Sequence, residues 1–313
     1  MNVFHNIIIK LKKAIKDMIR QAYYAGSWYP ANKSDLEKEL EDLFTNSEFG
    51  PGMLPKTQDQ KIRTIIGGVT PHAGYYYSGN CAAFTFFNIF KEKVPDTIIL
   101  LGTDHVGYNK IGLMEEGEWE TPLGNLQIDE ALARKIIDIS DEIISDDSAF
   151  SVREHNIEIQ LPFIKYCAKN QEVNIVPIKY GILKFKQFQS YTTLDKAAED
   201  IAKAIESLNK DIVIIASTDM SHEPVRTEKG LESMKKMDRA VIEEFLKINP
   251  ENTFKAALNT SVCGPQTLTS LVLICKKLNA SKANLITYFT SYDRRGTFGP
   301  HTVGYFSGVL IKE

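Results

Sequence analysis

The chain has 313 residues with a formal net charge of -3 at pH 7, and 43% of its residues are hydrophobic. This balance is typical of a globular protein and lacks the basic surplus of nucleic-acid-binding proteins, so no nucleic acid is expected as a partner. The four cysteines have no CxxC spacing, so neither a disulfide framework nor a zinc ribbon is expected, and the predicted location is a reducing cytoplasm. The length is compatible with one large α/β domain.

The first 17 residues are predicted to form a short basic amphipathic helix, with apolar residues from Phe4 to Ile15 opposite lysines. The apolar run is too short for a signal peptide or a membrane span, so no membrane span is expected. Such a helix can also lie on a membrane surface. Because Met18 follows it, we interpret residues 1–17 as an extension ahead of an α/β domain that covers 18–313.

Four apolar, β-branched runs predict strands that are buried on both faces. They lie at 62–70, 96–102, 173–179 and 211–218. Helical patterns occur between or after them, at 78–92, 194–210 and 234–248. This alternation predicts a single α/β domain with a central, largely parallel sheet flanked by helices.

Two further segments predict antiparallel structure. Residues 111–128 alternate and turn like a hairpin, and 284–292 and 303–313 are close enough in the chain to pair as antiparallel strands.

Histidines follow three of the predicted strands within a few residues. His72 follows the first strand, His105 the second, and Asp219 and His222 the fourth. Each also has a structural interpretation: His72 as a turn residue, His105 as a loop partner of Asp104, and the last pair as a hydrogen-bonded turn. Because the carboxyl ends of neighbouring parallel strands lie side by side, their convergence indicates a site.

Two histidines rarely hold a metal alone, and Cys263 is the candidate for a third ligand. It directly precedes an apolar helical pattern, and a helix N-terminus favours the thiolate, which is the metal-binding form of cysteine. The alternative is a small residue at a turn. Two imidazoles and one thiolate would suit Fe(II), Cu or Zn. If so, the ring nitrogen of His72 should lie within about 4 to 5 Å of both other ligand atoms.

Glu154, His155 and Glu158 form another polar group in "REHNIEIQLPF" (153–163). His155 and Glu158 are candidates to orient the ligating imidazoles, and a solvated charged face is the alternative.

Seven ordered segments give the chain a resemblance to a known family. They are "AGSWYPA", "PHAGYYYSG", "GTDH", "TPLGN", "EHNIEIQLPF", "STDMSH" and "SVCGP". Together they resemble the signature segments of the Memo family, named for the mediator of ErbB2-driven cell motility. Bacterial and archaeal members are called AmmeMemoRadiSam system protein B. The resemblance covers roughly Met18 to Glu313.

The resemblance implies a fold similar to class III extradiol dioxygenases, which open catechol rings with Fe(II) held by two histidines and a glutamate. The ligand histidines correspond to His72 and His105, and the third ligand position is occupied by Cys263 instead of glutamate. The acid/base histidine corresponds to His222, with Asp219 close by. A thiolate is a softer ligand, which makes copper a candidate and puts ring-opening dioxygenation in doubt.

Three functions follow as hypotheses. The first is a metal-dependent redox enzyme that uses Fe(II) or Cu, with O₂ or a small-molecule substrate at the open positions and with Tyr75, Tyr76 and Trp119 lining the cleft. The second is a metal carrier or a peptide-binding adaptor, since animal relatives are associated with phosphotyrosine peptides and Arg294 and Arg295 offer anion contacts. The third is a component that acts beside a radical-SAM system protein.

Overall fold

The computed structural model describes residues 19–58, 60–182 and 188–313. The predicted extension at 1–17 lies outside these residues, so its structure and the boundary at 18 stay predictions. Within the described ranges, no helix is long and apolar enough to cross a membrane.

Within the described residues, a nine-stranded sheet forms the centre of the molecule. Its strands are β2 (Ile65–Thr70), β3 (Thr97–Thr103), β4 (Ile111–Leu113), β7 (Ile143–Ser145), β8 (Asn174–Tyr180), β9 (Ile212–Ser217), β10 (His222–Glu223), β11 (Lys282–Thr290) and β12 (Thr302–Ile311). Their order is β10-β12-β2-β9-β3-β8-β4-β7, with β11 also paired to β12. A second, small sheet consists of β1 (Ile19–Arg20), β5 (Glu118–Trp119) and β6 (Leu126–Gln127), and an isolated bridge between Ile128 and Ile175 connects its end to β8.

The four predicted buried strands are the parallel centre of this sheet. β2 pairs with β9, β9 with β3 and β3 with β8, all in parallel, and β3 and β9 are buried along their whole lengths. Antiparallel strands flank the centre on both sides, with β12 beside β2 and β4 beside β8. The predicted single α/β domain with a large central sheet is therefore confirmed, and the sheet is parallel at its centre and mixed as a whole.

Helices cover both faces of the sheet. They are α1 (Lys33–Thr45), α2 (Asn80–Glu92), α3 (Glu130–Ile139), α4 (Leu161–Ala168), α5 (Tyr191–Glu206), α6 (Glu228–Leu246), α7 (Pro250–Leu258), α8 (Pro265–Lys277) and the short α9 (Ser291–Arg295). Two adjacent glycines of β2 show how closely they pack: a Cβ on Gly67 would collide with Cys275 of α8, and one on Gly68 with Thr85 of α2. Helices α8 and α2 therefore lie on opposite faces of β2.

Two predictions of local structure concern antiparallel strand pairs. The antiparallel pair near the C-terminus is confirmed, because β11 and β12 pair over most of their lengths. The hairpin expected over 111–128 is only partly correct, because β5 and β6 form it while β4 joins the main sheet. Residues 111–113 are buried and pair with β8 on one side and with β7 on the other, which satisfies their backbone groups on both sides.

Candidate metal centre

The three strands that are followed by the candidate histidines end at the same level of the sheet. Thr70 of β2 pairs with Ser217 of β9, and Ser217 pairs with Gly102 of β3. His72 and His105 each lie two residues beyond the last residue of their strands, so the parallel register brings them together. Their ring centroids are 5.3 Å apart.

Cys263 completes the group from a different part of the chain, just before helix α8. Its Sγ lies 3.2 Å from Nε2 of His72, and the backbone N–H of Asp219 donates to Sγ at 3.2 Å. One ligand atom from each of His72, His105 and Cys263 can be chosen so that all three lie within 4.8 Å of one another, which agrees with the expected spacing. Their role as metal ligands stays a prediction.

A glycine allows this approach of Cys263 to strand β9. A Cβ on Gly264 would lie 2.8 Å from Oγ1 of Thr218, which is closer than ordinary packing permits. The backbone N–H of Gly264 donates to the same oxygen at 3.0 Å. The cysteine is thus fixed by the residues that follow β9.

His72 is almost fully buried, with 2% of its surface exposed. Burial lowers its pKa well below the usual value, and the neighbouring His155 and His105 lower it further. Its backbone N–H donates to Oδ1 of Asp219 at 2.7 Å, and its Nδ1 lies 3.3 Å from Oγ of Ser217. The ring is therefore neutral, which is the form that binds metals.

Glu154 holds His105 and His155 with one carboxylate. Oε1 lies 3.1 Å from Nδ1 of each ring, and Oε2 accepts the backbone N–H of His105 at 2.6 Å. Burial raises the pKa of Glu154, but its hydrogen bonds to the two histidines outweigh burial and lower it overall. Burial lowers the pKa of His105, yet Cys263 and Glu154 raise it to about 10.

His105, Glu154 and His155 also form a second group with metal-ligand spacing. Both Nδ1 atoms face the same carboxylate oxygen, which also accepts the backbone N–H groups of His155 and Asn156. This oxygen is already fully used by donors. The geometry favours Glu154 as the residue that orients the imidazoles, so Glu154 takes the role that we expected for its neighbours.

Glu158 does not reach the site, contrary to expectation. It is fully buried, pairs with Arg20 at 2.5 Å, and accepts from the Tyr24 backbone N–H and the Tyr29 hydroxyl. The alternative of a solvated charged face is also wrong, because Glu154 is buried as well. The alternation of Glu158 with apolar residues does not indicate which buried cation pairs with its carboxylate.

His155 lies within the site. Its ring centroid is 5.1 Å from that of His72 and 4.7 Å from that of His105, and Trp28 packs on it at 4.4 Å. Glu158 accepts hydrogen bonds from Tyr24 and Tyr29, which lie on either side of Trp28 in the chain, so this carboxylate supports one wall of the site indirectly.

His222 and Asp219 lie beside the three candidate ligands. Nε2 of His222 is 3.8 Å from Oδ2 of Asp219, while Nδ1 is 2.9 Å from the Met220 carbonyl oxygen. A carbonyl only accepts, so Nδ1 carries a proton, and the Met220 carbonyl fixes this tautomer. Burial raises the pKa of Asp219, against the opposing effects of His222 and of the hydrogen bond from His72.

The aromatic residues expected in the cleft divide into two groups. Tyr75 and Trp119 are core residues, each 2% exposed; the Tyr75 hydroxyl donates to Ile159, and Trp119 packs on Arg20. Tyr76 instead lines a surface cavity of about 380 Å³, together with Tyr77. Helical phase along the π-helical turn Tyr75–Gly79 decides this difference, since it points Tyr75 inward.

Arg295 also lines this cavity, with Trp28, Tyr305 and His301. Its guanidinium lies 5.7 Å from the ring centroid of Tyr77, and within the described residues its Nε has no hydrogen-bond partner. Arg294 instead lies over the Phe49 ring and donates to the Tyr76 carbonyl. Of the two arginines, only Arg295 lines the cavity.

The sequence reasoning missed three residues that shape the centre. Ser217 and Gln160 contact each other beside His72, and Trp28 packs on His155. All three lie in segments that carry the family resemblance, Trp28 in "AGSWYPA", Gln160 in "EHNIEIQLPF" and Ser217 in "STDMSH", so position alone could have drawn attention to them.

Comparison with known proteins places the chain in a family. The family model described as "Memo-like protein" matches residues 20–309. A MEMO1 family protein of Desulfurococcus amylolyticus is 38% identical, covering 91% of this chain and 96% of that protein. A MEMO1 family protein of Pyrococcus furiosus is 37% identical, covering 94% of this chain and all of that protein.

One solved structure, that of an uncharacterized protein from Escherichia coli K12, superposes with a TM-score of 0.48 at 9% identity, covering 79% of this chain and 99% of that chain. The range that the family model matches includes His72, His105, His222 and Cys263. The chain belongs to the Memo family.

Proposed function

We propose that this protein binds Fe(II) or Cu through His72, His105 and Cys263 and uses the metal for redox chemistry on a small molecule. The observation that supports the proposal is the convergence of two imidazoles and a cysteine, with ligand atoms within 4.8 Å of one another, at the carboxyl edge of the parallel strands.

The residues present fit such a metal. Nδ1 of each candidate histidine has a hydrogen-bond partner, Ser217 for His72 and Glu154 for His105, which leaves Nε2 of both rings for coordination. Because the pKa of His105 is raised to about 10, metal binding at its Nε2 would release a proton. A donor set of two nitrogens and one sulfur suits Fe(II), Cu or Zn. Among the described residues, three candidate ligands converge, so the set resembles catalytic sites, which keep a position for water or substrate, more than closed structural sites.

The metal, when bound, would supply open coordination positions for O₂ or for a small substrate. The protein's own residues then handle protons. His222 presents Nε2 as the free nitrogen, because its Nδ1 is engaged by Met220. Asp219 lies on the Nε2 side at 3.8 Å and stabilises a proton held there.

Metal analysis of protein purified without oxygen tests the proposal. Wild type should hold close to one iron or copper per chain, and His72→Ala and Cys263→Ser should lose most of it. His301→Ala is the matched control, since His301 is exposed and lies outside the group. Equal, negligible metal in wild type and in both variants would end the proposal.

A spectrum of the anaerobic iron-bound protein with a catechol tests the redox step separately. A charge-transfer band would show open coordination positions. Oxygen consumption after the addition of air would then show turnover, and its absence in His222→Ala would support the proton-handling role.

A second candidate function is a binding protein that recognises an aromatic, anionic group. The observation that favours it is the cavity of about 380 Å³, in which Arg295 lies beside Trp28, Tyr77 and Tyr305. Binding of a phosphotyrosine peptide that is lost in Arg295→Gln, together with stoichiometric metal but no turnover, would favour this function over the enzyme.

A further inference from the structure

A buried polar chain lies behind His72 and begins at Gln160. The side chain of Gln160 is fully buried, and its Nε2 lies 2.9 Å from the carbonyl oxygen of Pro71. A carbonyl only accepts, so this contact fixes the amide with its NH₂ toward Pro71. The amide oxygen accepts from the Thr70 hydroxyl at 3.1 Å, which agrees with the same orientation.

Ser217 is the next link. The second N–H of Gln160 donates to Oγ of Ser217 at 2.9 Å, so Gln160 is a donor to this hydroxyl. The single proton of Ser217 points to the carbonyl oxygen of Asn156 at 2.7 Å. Ser217 therefore has no proton left for the histidine ring.

Nδ1 of His72 lies 3.3 Å from this hydroxyl oxygen. Because Ser217 donates its proton elsewhere, the oxygen acts as an acceptor toward the ring, and the ring proton lies on Nδ1. Nε2 then carries the lone pair, and it is the atom 3.2 Å from Sγ of Cys263.

We propose that Gln160 and Ser217 are positioning residues that hold His72 as the Nδ1–H tautomer and thereby make Nε2 its ligand atom. The consequence for metal affinity rests on the proposed function, whereas the tautomer does not. The two candidate ligands are then oriented differently: a carboxylate holds His105, and a neutral hydroxyl and amide hold the buried His72. Because the side chains of Ser217 and Gln160 are uncharged, they add no charge next to the His72 ring, which is 2% exposed.

The test measures the tautomer directly in metal-free protein. Long-range ¹H–¹⁵N correlation spectra of histidine-labelled protein separate a protonated from an unprotonated ring nitrogen, and His72→Ala identifies the His72 signals. Wild type should show the proton on Nδ1. In Ser217→Ala, Nδ1 loses its acceptor, so the Nε2–H form should rise to half or more of the population. Gln160→Met should shift the population in the same direction by a smaller amount.

Two further variants control for structure. Ser217→Thr keeps the hydroxyl and should keep the wild-type tautomer. Ser307→Ala removes a buried hydroxyl of strand β12 that hydrogen-bonds the Thr85 hydroxyl of helix α2 at 2.7 Å, and it should leave the His72 signals unchanged. Copper and iron affinity, measured on the same samples, should fall about 10- to 100-fold in Ser217→Ala.

A proton on Nε2 of His72 in wild type, or an unchanged tautomer in folded Ser217→Ala and Gln160→Met, would overturn the inference. A shifted tautomer in these variants supports the inference even when wild type binds no metal. The lack of metal binding would then refute only the proposed function.

Discussion

Replacing Glu154 with glutamine should weaken metal binding by about 10- to 100-fold. The carboxylate accepts from Nδ1 of His105 at 3.1 Å through Oε1 and from the His105 backbone N–H at 2.6 Å through Oε2. A glutamine oxygen can replace only one of these acceptors, and its NH₂ then faces a donor. Losing a hydrogen bond to a charged group costs about 1.5–3 kcal/mol, and each 1.4 kcal/mol is about tenfold in affinity.

Competition with a chromophoric chelator for Cu(I) and Fe(II), without oxygen, measures this change. Glu130→Gln is the matched control: the same chemical change at a residue whose side chain is 44% exposed and pairs with Arg134, which should leave the dissociation constant within about twofold. A Glu154→Gln dissociation constant as close to wild type as that of the control would refute the assignment of Glu154 as the residue that orients His105.

Three further predictions concern stability. Glu158→Gln should lower the free energy of unfolding in urea by about 3–5 kcal/mol, because it leaves a buried arginine without its counter-ion; a loss below about 1 kcal/mol would contradict this. Gly102→Ala should lower the melting temperature and cost about 1–3 kcal/mol in the free energy of unfolding, because the new Cβ would collide with Oδ1 of Asn156. An unchanged melting temperature would show that the residues around Asn156 move aside without cost. Burial raises the pKa of Asp129, but its hydrogen bonds, first among them that from Lys210, lower it below 3.8 overall, so its carboxylate stabilises the fold above that pH. The stability lost in Asp129→Asn at pH 7 should therefore shrink as urea unfolding is repeated below pH 3.8, and a constant difference would be the contrary result.

The sequence by itself determined the centre of the fold. Apolar, β-branched runs mark strands that are buried on both faces, and all four predicted runs are strands of the parallel centre. It also placed His72 and His105 correctly beyond strands β2 and β3, because parallel strands of a sheet end at a common edge. The local sequence pattern is sufficient to predict these strands and the residues that follow them, since both depend on the residues of the strand itself.

Only the tertiary structure decided which polar groups meet behind the ligands. Glu154 and Glu158 lie four residues apart in one segment, yet one holds two histidines and the other pairs with Arg20, which is 138 residues away. Ser217 and Gln160 come from distant segments and meet beside His72 in the same way. Partners of buried polar groups are set by packing between elements that are remote in the chain, and the sequence around each group carries no record of that packing.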